Sequence, residues 1–227
     1  MTRIFDILMS SLAIFVLFPF MLPIMIALKL TGEHHVFYMQ TRVGKAGQDF
    51  QVFKFATMLK DSPNLAGGIL TQKNDPRILP MGNFLRKTKI NELPQLYNIF
   101  LGNMSFVGPR PQARRHYELY SEAVKCEIDE LIPGLTGIGS IVFRDEETML
   151  DQVQGDRDNF HDMVIAPYKG ELEVWYARNK SLAKYFALIL LTALSVVKPR
   201  SDIYKRIFRD IPKAPSDLLA LLNTIKA

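Results

Sequence analysis

Cysteine is almost absent. Cys126 stands alone among 227 residues, so no disulfide can form within the chain. That suits a reducing compartment. The four histidines are scattered apart from the His34-His35 pair, and no Cys/His group has zinc spacing. No internal repeat is visible, so a repeat array is excluded. The basic residues form no contiguous stripe interleaved with aromatics, which argues against a nucleic-acid surface. Charge is missing altogether from Ile7 to Leu28, a run of about 22 residues. A helix of that length can cross the hydrocarbon core of a bilayer.

What is present bounds the class. Hydrophobic residues make up 48% and charged ones 22%, so the chain is neither disordered nor a multi-span transporter. Its length allows one ordinary domain plus a membrane element. The net charge of +5 suits phosphate-rich partners (nucleic acid, anionic lipid or nucleotide phosphates), or serves solubility alone. The apolar run is too long for a signal peptide, and no small-residue cleavage site follows it. Hydropathy alone favours a plain single-pass helix. Pro19 and Pro23 oppose a straight one, because each lacks an N–H and clashes with the carbonyl four residues back. Arg3 precedes the run, and Lys29, Arg42 and Lys45 follow it. Basic flanks on both sides suit two cytoplasmic ends.

Beyond the run, Val36 to Met58 reads as extended pieces around a turn at Gly44-Lys45-Ala46-Gly47. Residues 61–74 read as a loop. Asn83 is expected to cap a helix running through Phe84, Leu85 and Ile90. Pro94 marks a break or a first turn, and Pro109 and Pro111 enforce a stiff extended loop. Helical patterns cover about 113–130 and 157–180, separated by a turn-rich Pro133-Gly134-Leu135-Thr136-Gly137. Leu182 to Val197 is apolar but short for a span, so it reads as a buried or an interfacial helix. Ser216 to Ile225 forms a serine-capped amphipathic helix that docks on the domain, the membrane or a second copy.

Phosphoryl transfer needs an in-line acceptor or nucleophile, cations for the phosphates and usually Mg²⁺ on a carboxylate. Arg86, Lys87, Lys89 and Glu92 lie within two turns if residues 86–92 form one helix, which makes a site or merely a solvated face. Arg110, between two prolines, offers a planar fork on a rigid loop. Arg144 precedes Asp145-Glu146-Glu147; this is either a phosphate-and-metal cluster or an exposed salt-bridge group.

Several motifs occur in one order: Arg42; Lys54-Phe55 with Thr57-Met58; Glu92-Leu93-Pro94-Gln95-Leu96; Gly102 with Met104-Ser105 to Pro111; and Pro133 to Gly137. Together they resemble the monotopic phosphoglycosyl transferases, the bacterial sugar transferase family, up to about residue 198. The resemblance implies transfer of a sugar 1-phosphate from a UDP-sugar to undecaprenyl phosphate, with UMP released. It implies a re-entrant N-terminal helix broken at a Ser-Pro pair, although Phe18 precedes Pro19 here. It also implies an Asp-Glu dyad whose aspartate attacks the β-phosphate while the glutamate helps hold Mg²⁺. The matching residues here are Asn91 and Glu92.

An amide is not a useful nucleophile toward phosphorus. Glu92 or another carboxylate attacks instead, or the acceptor phosphate attacks directly, or the protein only binds, or the asparagine is engineered or deamidates. Asp145 and Glu146 are the spare carboxylates. Arg144 matches the family's phosphate-contacting arginine, and Lys54 and Arg86 match phosphate or phospholipid contacts. Ala56 stands where a basic residue is common.

The expected fold is α/β but mostly helical, a single interfacial domain with a few short strands. The expected divisions are a re-entrant membrane helix at 1–31, a catalytic domain at 32–200 and a C-terminal extension at 201–227. The expected partners are the UDP-sugar, undecaprenyl phosphate and inner-membrane lipid, with no nucleic acid; a homodimer is allowed by the 182–197 helix and the leucine-rich tail. The expected location is the cytoplasmic face of the bacterial inner membrane.

Overall fold

The computed structural model describes residues 2–65, 75–197 and 203–226. The chain forms two compact units. The first comprises Met1–Thr41 and Phe50–Met104, the second Arg42–Asp49 and Ser105–Ala227.

The first unit opens with helix α1, Thr2–Leu30, which continues through Pro19 and Pro23. It is long and apolar enough to cross a membrane, by length and composition. Both of its ends are held by the unit. At the start, the Arg3 guanidinium donates to the carbonyls of Ile99 and Phe100 at 2.5 and 2.7 Å. At the end, Leu28 is buried with Phe55 and Leu85, and Met21, Ile24 and Met25 pack on the same cluster. Between these anchors Leu12, Phe15, Val16, Phe18 and Phe20 are exposed.

Strands β1 (Phe37–Val43) and β2 (Asp49–Phe55) form a two-stranded sheet. Their link is the turn expected at Gly44–Gly47, closed by a 3₁₀ turn at Lys45–Gly47. So short a link permits only antiparallel pairing. The loop expected over 61–74 has a 3₁₀ turn at Ser62–Asn64, and residues 66–74 lie outside those described.

Two local expectations fail next. Helix α2 is Gly82–Lys87, with Met81 at the cap position, so Asn83 lies inside the helix and caps nothing. The start is fixed by close packing: a Cβ on Gly82 would lie 2.2 Å from the Thr57 carbonyl oxygen. The helix also stops before Ile90, because Lys89 takes a left-handed conformation (φ 60°). Residues 86–92 therefore do not share one helical face. A 3₁₀ turn, Ile90–Glu92, follows, then α3, Gln95–Leu101, with Pro94 at its cap. Gly102 ends α3 at φ 96°, the left-handed residue that closes many helices. Arg3 supplies a donor to the same end, where carbonyls lack partners. Within α3, Asn98 is buried; its side chain accepts from the Phe53 N–H and donates to the Gln51 carbonyl, tying α3 to β2.

In the second unit, β3 (Ser105–Val107) pairs in parallel with β4 (Gly134–Thr136). The Pro133–Gly137 segment, expected as a turn, is thus partly a strand. Its partner lies far off in sequence, where a local glycine signal cannot reveal it. Between them run α4 (Arg114–Tyr117) and α5 (Glu122–Asp129), separated by Ser121, whose hydroxyl accepts from the Val124 N–H. Then come α6 (Ile138–Val142), α7 (Glu146–Asp151) and α8 (Arg157–Phe160). A π turn at His161–Ile165 leads into α9, Ala166–Asn179. Pro167 cannot donate to an i−4 carbonyl, and a widened turn just before it relieves that clash. Helix α10 is Leu182–Val197. Its Tyr185, Leu188 and Leu191 are buried, while Leu182, Phe186, Leu190 and Leu194 are exposed at every fourth residue.

The segment after α10 folds onto the same unit. Helices α11 (Ile203–Ile207) and α12 (Ser216–Lys226) bury Tyr204, Leu218 and Leu222. Phe208 lies 5.4 Å from the Trp175 ring, and the Tyr168 hydroxyl donates to the Pro212 carbonyl. Helix α12 packs on α7. The mostly helical character with few short strands is as expected.

Candidate functional site

The first unit carries Lys54, Arg86, Asn91 and Glu92. Lys54 lies on β2 and donates to the Gln40 side-chain oxygen at 2.8 Å. Arg86, in the last turn of α2, leans on the Met58 sulfur at 3.6 Å. Asn91 and Glu92 end the 3₁₀ turn that the left-handed Lys89 starts. Asn91 is 8% exposed, and its carbonyl oxygen is buried with no hydrogen-bond partner. Leaving such an oxygen dry and unmatched costs about 1–3 kcal/mol.

The second unit carries Arg110, Arg144, Asp145 and Glu146. Arg110 sits on the loop between β3 and α4, held between its two prolines. Arg144 lies between α6 and α7, and one of its terminal nitrogens, Nη1, is buried without an acceptor. A buried guanidinium nitrogen without an acceptor suits an anion, and the planar fork matches phosphate.

Glu146 is not spare. Lys169 donates to both of its oxygens at 2.7 Å, and His161 Nε2 lies 3.4 Å from Oε1. Burial alone would raise this carboxyl; Lys169, with His161 and Arg110, holds it below the usual carboxylate range. Asp145 precedes α7 without capping it through its side chain.

Sequence reasoning missed a group that folding assembles here. His116 and His161 lie with ring centroids 4.5 Å apart, and the His161 Nδ1 is 2.8 Å from Asp162. Burial, with positive charge on His161, Lys169 and Arg42, pushes His116 down to about 4. The three side chains come close enough to ligate a metal. Their charge is already matched, however. Arg115 pairs with Asp162 at 3.4 Å, and Lys169 neutralises Glu146. Lys169, Arg115 and Arg42 place positive charge around these side chains, which disfavours a divalent cation there. Glu173, on α9, was also not legible. It is buried, and burial pushes its carboxyl up to about 7.

Comparison with known proteins places most of the chain in one family. The bacterial sugar transferase family profile matches residues 1–199. The exopolysaccharide production protein PSS of Rhizobium leguminosarum bv. phaseoli is 41% identical over 198 residues, covering 85% of this chain and 93% of that protein. A UDP-glucose:undecaprenyl-phosphate glucose-1-phosphate transferase of Xanthomonas campestris pv. campestris is 33% identical over 194 residues, covering 85% of this chain and 38% of that protein. A UDP-N-acetylgalactosamine-undecaprenyl-phosphate N-acetylgalactosaminephosphotransferase of Aeromonas hydrophila is 34% identical over 139 residues, covering 60% and 33%. The chain thus spans well under half the length of the last two. With the family profile matched over all but the C-terminal extension, the chain belongs to the bacterial sugar transferase family, as a phosphoglycosyl transferase.

Proposed function

We propose that this enzyme transfers a sugar 1-phosphate from a UDP-sugar to undecaprenyl phosphate, releasing UMP. The product, a polyprenyl diphosphate sugar, starts a lipid-linked glycan for a surface polysaccharide such as lipopolysaccharide or capsule. Arg144 carries this reading: a buried guanidinium nitrogen without an acceptor, in a chain whose relatives are named for sugar-phosphate transfer to undecaprenyl phosphate. Arg110, Lys54 and Arg86 are the further phosphate contacts. Glu92 would hold Mg²⁺, and the cation, when bound, would neutralise diphosphate charge; the unpartnered Asn91 oxygen is a further donor in the same turn.

Asn91 sets the order of bond changes. With no carboxylate there, an oxygen of the acceptor phosphate attacks the β-phosphorus of the donor directly. The bond from that phosphorus to the bridging oxygen breaks, and UMP leaves with the electron pair. A covalent route would have to draw on Glu92 or Asp145, since Glu146 is committed to Lys169.

The functional divisions are a re-entrant helix at 1–31, a catalytic region at 32–200 and the extension beyond. Re-entry is supported by the two anchors of α1, because a helix crossing to the far side could not rest both ends on one cytoplasmic unit. The exposed leucine and phenylalanine stripe of α10 suits inner-membrane lipid, and the same stripe is where a homodimer would form.

Asn91 also favours a second reading, a membrane-anchored partner in a glycan assembly complex that binds but does not turn over. UMP release in native-like membrane, with Mg²⁺, a panel of UDP-sugars and undecaprenyl phosphate, separates the two. Acceptor-dependent release with one donor is the expected result, with no burst when acceptor is omitted. No release with any donor, but release by Asn91→Asp, would establish the binding role.

A further inference from the structure

Glu173 is an acid placed where water does not reach, at 2% exposure on α9. Its Oε1 accepts from the Arg110 backbone N–H at 3.4 Å. Its Oε2 is buried and has no hydrogen-bond partner among the described residues. The same carboxyl fills the space a side chain at residue 139 would need, since a Cβ on Gly139 would lie 2.5 Å from Oε1. A Cβ on Gly137 would lie 3.9 Å from Oε2. One carboxyl thus touches the Arg110 loop and the glycine turn that leads through α6 to Arg144.

A leucine would fill this space at lower cost, because an unmatched buried polar group is expensive. The charged and titratable groups that face Glu173 are Lys169 on its own helix, Arg110 on the loop and Tyr120 ahead of α5. Lys169 is already bound to Glu146. The Gly137–Gly139 turn brings no charge. Nothing here fully compensates an ionised carboxylate, and burial pushes the group up to about 7, so near neutrality much of it is the neutral acid.

We propose that Glu173 is a positioning residue of the phosphate site: as the neutral acid it sets the Arg110 loop against the Gly137–Gly139 turn, and its ionisation loosens that setting. It does not touch phosphate, being buried beneath the loop and, when charged, of the wrong sign. The inference deepens the transferase reading and rests on it for the kinetic part of its test.

The experiment compares wild type, Glu173→Gln and Glu173→Leu in native-like membrane. UMP release and thermal unfolding are followed in parallel from about pH 5 to about pH 9. Wild-type activity is expected to fall on the alkaline side of about pH 7. Glu173→Gln, which copies the neutral acid, should stay within about twofold of wild type at about pH 6 and lose that fall. Glu173→Leu should raise the donor KM about tenfold while still unfolding cooperatively. An unchanged alkaline fall in Glu173→Gln overturns the proposal, as does wild-type activity in a folded Glu173→Leu. If Glu173→Leu does not fold, the Glu173→Gln profile decides.

If wild type releases no UMP from any donor, the transferase reading fails by itself, and unfolding decides the inference. A carboxyl raised in the fold holds its proton longer in the folded chain. Wild type must then lose stability relative to Glu173→Gln as pH rises from about 4.5 to about 7, and level off above. A difference independent of pH would overturn the proposal.

Discussion

At the scale of single residues, two of the buried polar atoms without a partner, Arg144 Nη1 and Asn91 Oδ1, belong to the proposed phosphate and metal site. Such atoms lower stability, and in the proposed reading a bound phosphate and cation satisfy these two. Arg144→Ala should therefore lower kcat/KM by about 100-fold, or ~2.7 kcal/mol, while leaving the unfolding temperature unchanged or higher. Steady-state UMP release and a melting curve check both arms. A loss of activity that tracks a loss of fold would instead mean that Arg144 is structural. Arg144, Arg110 and Glu92 stood out in the sequence because each sits inside a short recognisable stretch. Lys169, Glu173 and His161 did not, because their meaning lies in partners far along the chain. Glu146 is 23 residues from Lys169, and Arg110 is 63 from Glu173. The raised carboxyl, the lowered imidazole and the matched Glu146 are all products of burial, which a sequence does not display.

At the scale of elements, the hairpin was readable because a glycine turn between β-prone runs is a local code. The amphipathic α12 was readable for the same reason. The end of α2 was not, since the left-handed Lys89 carries no glycine to announce it. Helix α1 is the element whose placement matters most. If its prolines turn it back, replacing them should let it run straight. At 1.5 Å per residue a straight helix of this length reaches about 43 Å, more than the roughly 30 Å of hydrocarbon. A cysteine placed at Thr2, in a Cys126→Ser background, reports the side. In sealed spheroplasts an impermeant maleimide should not reach it from outside, and should reach it when Pro19→Ala and Pro23→Ala are added. Protection that persists in that double proline variant would show that something other than the prolines, such as the Arg3 anchor, turns the segment.

At the scale of the whole chain, family membership was legible from motif order, and the role of the C-terminal extension was not. The family profile ends at residue 199, yet the chain beyond it packs on the second unit. Leu218 and Leu222 are buried where α12 meets α7, the helix that directly follows Arg144. Leu218→Ala should cost about 3 kcal/mol, and adding Leu222→Ala should lower turnover more than donor affinity at a temperature where the protein stays folded. Urea unfolding and the kcat-to-KM split measure this; full turnover in a destabilised double variant would separate the extension from the site. The grip of Arg3 on Ile99 and Phe100 has a consequence for how the protein is made. That contact joins residues 96 and 97 positions apart, so the start of α1 closes it only after about a hundred further residues have been made. If α1 enters lipid first, as its composition favours, the rest of the first unit must condense against an anchor already in the bilayer. Membrane entry and folding then become one ordered assembly rather than two successive events.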